Sequence, residues 1–222
     1  MIKANLNNKK YEIPQRFTID TWSKMVVWDF EEPTHWKRII SAGVGIPIRE
    51  LNNTDEESMQ LFIGFLIAHM NQREQVKLND FNAITFGQFI DLDCYIAMGI
   101  DKNIQSMLDV LELAPQYSDE ALWVIDQYVM WRTTIFRQYK TLFGLNDKDF
   151  EVYADDQEDE DFDPMSIPRG WYKVIVDLAQ ENILNIDAVT DQPLKKALNF
   201  MALQKEKQLA EAEAMRKQKQ KI

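Results

Sequence analysis

Hydrophobic and polar positions along this chain recur mostly with a helical period, and the clearest stretch is 83–113, AITFGQFIDLDCYIAMGIDKNIQSMLDVLEL. Thr85 followed three residues later by Gln88 reads as a capping box. In it, hydroxyl and side-chain amide each satisfy a free backbone group of the first turn. Phe86, Phe89, Ile90, Leu92 and Ile96 follow at helical spacing, with Asp91 and Asp93 on the water-facing side. Gly99 breaks this helix, Asp101 restarts it, and Ile104, Met107, Leu108 and Leu111 continue the apolar stripe until Pro115. The pattern predicts a helical hairpin at the centre of a core.

The flanking segments repeat the theme. Residues 1–13 alternate apolar and polar around Asn7-Asn8, which predicts a small hairpin. Thr18 caps a helix to about Trp28, and Pro33 starts a short one carrying Trp36, Ile39 and Ile40, with Gly43 as its C-terminal cap. Thr54-Asp55-Glu56-Glu57 reads as a second capping box, opening a helix to about Asn71. Ser118-Asp119-Glu120 opens an aromatic helix to about Phe143, apolar almost all round. Such a helix is central to a bundle or holds one face for a partner. A short amphipathic helix is expected over 171–186. Thr190-Asp191-Gln192-Pro193 then starts the last one, with Leu194, Leu198, Met201 and Ala202 inward. From Gln204 onward the sequence favours helix but offers only Leu209 and Met215 as large apolar groups. It is expected to protrude or to order on a partner.

Composition narrows the class. Apolar residues make up 45% of the 222, with six Trp and twelve Phe, ample for a core. Seven Gly and seven Pro are too few for a turn-rich sandwich. The fold class expected is all-α, mainly a helical bundle of about seven or eight helices, with the small N-terminal β-hairpin. Charge marks the expected boundaries. Between Asp147 and Asp163 stand ten acids against one base, Lys148, which is −9 of the net −11. A block of like charge repels itself and stays solvated, so 147–168 reads as an acidic linker. It would join a body, 1–146, to C-terminal helices, 169–222. The acidic balance opposes general nucleic-acid binding. One cysteine, Cys94, excludes an internal disulfide framework. No stretch reads as a signal peptide, and the longest apolar run, 61–68, is too short to span a membrane.

No catalytic or ligand motif in the sequence has the residues its chemistry needs at the required spacing. His35, His69 and Cys94 lack the spacing of a metal site. Asp159, Asp161 and Asp163 match the first ligand positions of a calcium loop. The loop's obligatory glycine is replaced by Pro164, however, and its final glutamate by Gly170. No phosphate loop or serine elbow occurs. Asp91 and Asp93, two apart on a helix, diverge too far to act as an acid–base pair. Cys94 reads as a buried structural thiol. No catalytic, cofactor or metal residue is therefore expected, and the chain reads as non-enzymatic. The candidate residues are partner-binding ones: Trp123, Trp131 and Phe136 on the aromatic helix, and Leu209 and Met215 on the tail.

The block ITFGQFIDLD at 84–93, the Trp-rich TIDTWSKMVVWD and THWKRIISAGVGIP, and the closing WYKVIVDLAQENILNIDAVTDQPLKKALNFMALQKEK are also the basis of a resemblance. Over most of its length the chain resembles small proteins encoded among the structural and tail-assembly genes of tailed bacteriophages, in particular crAss-like phages of gut Bacteroidales. The resemblance implies a non-catalytic virion-associated protein, a tail or internal cargo component made in the host cytoplasm. It would be present in multiple copies per particle and bind other virion proteins (tail, portal-proximal or internal), with no direct contact to nucleic acid or membrane. It assigns no functional residue. Two other roles fit the same sequence: a tail-assembly chaperone absent from the finished particle, or a cytoplasmic acidic adaptor binding a host protein.

Overall fold

The computed structural model describes residues 2–6, 9–78, 80–150 and 163–219, and the chain is mostly helical. Its contacts group into two units, Met1–Leu78 with Met98–Asp126, and Asn79–Ala97 with Gln127–Ile222. This grouping differs from a division at 146 and 168: the chain passes between units after residues 78, 97 and 126.

In the first unit, β1 (Ile2–Leu6) runs antiparallel to β2 (Lys9–Ile13), with Ile2 opposite Ile13 and Leu6 opposite Lys9. The turn expected at Asn7-Asn8 lies outside the described residues. Helix α1 (Ile19–Val26) starts where the hydroxyl of Thr18 accepts from Thr21 N at 3.2 Å. Helix α2 (Trp36–Val44) packs on it and on α4, and α3 (Ile48–Leu51) follows. Gly43 was expected to cap α2. Instead it lies within the helix, and the left-handed cap falls on Gly45, φ +77°. Gly43 serves close approach: a Cβ there would stand 2.5 Å from the sulfur of Met25 and 3.2 Å from Leu66.

The capping box at 54–57 is also displaced by one residue. Helix α4 (Glu56–Met70) is capped by Asp55, whose Oδ1 accepts from Ser58 N at 2.7 Å, while Thr54 is buried. Beyond Gly99, φ +100°, helix α6 (Ile100–Val110) buries Ile104, Met107 and Leu108 and packs on α1. Helix α7 (Ser118–Gln138) begins in this unit. Its start is held by Arg16, which grips Asp119 with Nε at 2.5 Å and Nη2 at 2.6 Å, and reaches Glu120 at 2.8 Å.

In the second unit, α5 (Phe86–Ala97) opens as the capping box requires: Thr85 N donates to Gln88 Oε1 at 2.9 Å, and Gln88 N to Thr85 Oγ1 at 3.1 Å. The expected hairpin of two helices at one core is not formed. Helix α5 packs on helices from the C-terminal part of the chain, whereas α6 belongs to the other unit. The positive φ of Gly99 lets the chain leave its helical path between them.

Helix α7 ends at Gln138 rather than running on, and α8 (Lys140–Phe143) is separate, closed by Gly144 at φ +71°. Helix α9 (Ser166–Leu178) starts before Trp171 because Pro168 sits in its first turn, where the missing N–H is no loss. It stops at Leu178, since Gln180 and Glu181 adopt positive φ. The helix expected over 171–186 is thus broken, with α10 (Ile186–Thr190) following. The last helix, α11 (Leu194–Lys219), buries Leu194, Ala197 and Leu198.

Candidate functional site

The second unit holds one charged pair within its aromatic interior. Asp93 was expected to face water, but it is 3% exposed. Position 93 follows Leu92 on α5, and its carboxylate meets two donors brought from far along the sequence. Arg132 of α7 donates through Nε to Oδ1 at 2.5 Å and pairs with the same oxygen through Nη2. Trp171 of α9 donates its indole N–H to Oδ2 at 2.6 Å. One buried carboxylate therefore ties α5, α7 and α9 together. Its charge is compensated where an unpaired ion would be strongly disfavoured. The signal for this was an arginine inside a helix that is otherwise apolar almost all round.

The rings pack around this pair. Phe89 lies 5.9 Å from Trp171 and from Phe136 and 6.3 Å from Trp131. Phe136 stands 4.5 Å from Phe143, and Arg132 stacks on Phe136 at 4.4 Å. A pocket of about 600 Å³ opens beside them, lined by Asp93, Arg132, Trp171, Phe136, Phe143 and Val174 among others.

The five partner-binding candidates separate into two environments. Trp131 and Phe136 are half-buried in this aromatic cluster, Trp131 also against Phe81 and Tyr128. Trp123 is half-buried on the part of α7 that belongs to the first unit. Leu209 and Met215 are exposed on α11, at 49% and 62%. The geometry brings Trp131 and Phe136 into one aromatic cluster.

The remaining chemical groups are accounted for by their surroundings. The Cys94 thiol is half-buried on α5, and burial together with Asp93 and Asp91 raises its pKa to about 11, away from thiolate reactivity. His69 stacks on Phe65 at 3.9 Å, with Nδ1 2.9 Å from Phe65 O. Asp163 accepts from Met165 N and Arg169, while Asp159 and Asp161 of the acidic run lie outside the described residues. Among the described residues no group of three or more His, Cys, Asp or Glu could hold a metal ion, and no helix is long and apolar enough to cross a membrane. The sequence matches no family model, and neither curated proteins nor solved structures include a match to it.

Proposed function

We propose that this chain is a non-enzymatic, virion-associated protein of a tailed bacteriophage, a tail or internal cargo component acting through protein–protein contacts. The observation that carries the reading is the far half of α11. Among the described residues its last hydrogen bond to the rest of the unit is from Lys205 Nζ, which donates to Leu142 O at 2.8 Å. Every side chain from Glu206 to Lys217 is exposed, Leu209 and Met215 included. A helix of that length has little stability of its own in water, and a partner surface supplies the missing burial. Leu209 and Met215 are the apolar anchors, and the surrounding Lys, Arg and Glu set the charge match.

Mass spectrometry of gradient-purified particles from the encoding phage tests this. Peptides of this chain at tens of copies per virion are the expected result. Their presence in infected-cell lysate but absence from particles overturns virion association, in favour of a tail-assembly chaperone or a host-binding adaptor.

A further inference from the structure

The pocket beside Asp93 combines three features that packing alone leaves unexplained. Its volume of about 600 Å³ falls in the range of small-molecule sites, and its lining is mostly aromatic and aliphatic, with Thr133, Asp149 and Ser166 as further polar members. Arg132 is engaged with Asp93 through Nε and Nη2, and one guanidinium face rests on Phe136. Nη1 makes no hydrogen bond among the described residues. A donor on an arginine that lines an apolar pocket is best satisfied by an oxygen arriving in the pocket.

The third feature is Gly170, also on the lining, at the fifth position of α9. Its φ is not left-handed, and a Cβ there would meet no atom within 4 Å. Neither backbone strain nor close approach requires glycine at this place, the poorest helix former after proline. Gly170 is exposed and leaves its part of the lining without a side chain.

We propose that this pocket binds a small molecule with an aromatic body and one oxygen acceptor. The rings lie among Phe136, Phe143 and Trp171, and the oxygen accepts from Arg132 Nη1. The site is distinct from the partner surface on α11 and does not depend on the virion reading.

The test titrates the full chain with 1-anilinonaphthalene-8-sulfonate, which has aromatic rings and an acceptor head, and with N-phenyl-1-naphthylamine, which has the same rings and no sulfonate. The sulfonate probe is expected to saturate at one per chain and to bind at least about tenfold more tightly than the neutral one, the difference a charge-assisted hydrogen bond makes. Gly170→Leu, which fills the pocket from α9, is expected to weaken the sulfonate probe at least about tenfold with the helical signal and Tm retained. Val174→Met, filling the same space one turn on, provides a second reading if Gly170→Leu melts early. Leu184→Ser, on an exposed apolar site, leaves binding unchanged. Binding that does not saturate, or that both filling variants leave intact, overturns the site. Equal affinity for the two probes overturns the role of Arg132.

Discussion

Trp171 and Asp93, 78 positions apart, meet at 2.6 Å through the indole N–H and one carboxylate oxygen, and Arg132 holds the other oxygen. A buried charge with all its partners is a specific arrangement. Removing one partner strands the other. Asp93→Ala leaves the Arg132 guanidinium and the Trp171 N–H without their acceptor, and is expected to cost about 3–5 kcal/mol. Asp93→Leu combined with Arg132→Met removes both charges and is expected to recover the part of that loss owed to the stranded guanidinium, the Trp171 N–H still lacking its acceptor. Urea denaturation of the three proteins decides it: a double variant as unstable as the single one would show that the pair's shape, not its charge, matters.

Tyr128 is fully buried on α7, and its hydroxyl has no hydrogen-bond partner among the described residues. Burial pushes its phenol well above the usual tyrosine range. Tyr128→Phe deletes an unsatisfied polar group and keeps the ring against Phe81 at 5.6 Å. The variant is expected to match the wild type or exceed it by up to about 2 kcal/mol, read by thermal unfolding.

Glycines in helices respond oppositely according to what faces them. Gly43→Ala drives a methyl into the sulfur of buried Met25, and is expected to lose about 1–3 kcal/mol despite alanine's better propensity. Gly170→Ala meets open space and is expected to gain up to about 1 kcal/mol. Parallel urea titrations report both signs.

Acid should loosen the first unit through its helix caps and ties. Hydrogen bonds from Ser58 hold the Asp55 carboxyl below its ordinary value, and those from Tyr11 and Lys9 do the same for Glu50. A folded pKa below the unfolded one means the contribution is complete above the unfolded value and lost as pH falls through the folded one. Stability is therefore expected to be flat above about pH 5 and to decline below about pH 4. Asp55→Asn and Glu50→Gln should each flatten that decline in a pH series of denaturant midpoints.

Cys94 should react slowly. With its thiol pKa raised to about 11, little thiolate exists at pH 8, and iodoacetamide labelling followed by mass is expected to be slow in the native protein and fast in urea.

The local parts of this fold were legible because local chemistry decides them. The Thr85–Gln88 box, the Thr18 cap and the continuation of α11 past its buried end follow from neighbours in sequence. Errors arose where a contact lies far along the chain. Asp93 looked solvent-facing because its donors stand 39 and 78 positions away. Gly43 looked like a cap because Met25, whose sulfur it accommodates, is in another helix. Helices α5 and α6 looked like one hairpin since nothing within 83–113 shows that their stripes serve different cores. The pocket had no sequence signal, since the expected helix began at Trp171 and left Gly170 outside it.

The order in which segments return to each unit sets a schedule for synthesis. Residues 79–97 emerge from the ribosome long before the helices they pack on, and the first unit is incomplete until residue 126 has been made. The apolar side of α5, with Phe86, Phe89 and Leu92, must therefore wait through translation of the rest of the chain, exposed or sheltered by another molecule. No single cut in the chain separates the two units, and a protease or a premature stop that removes the end of the chain also deprives α5 of its core.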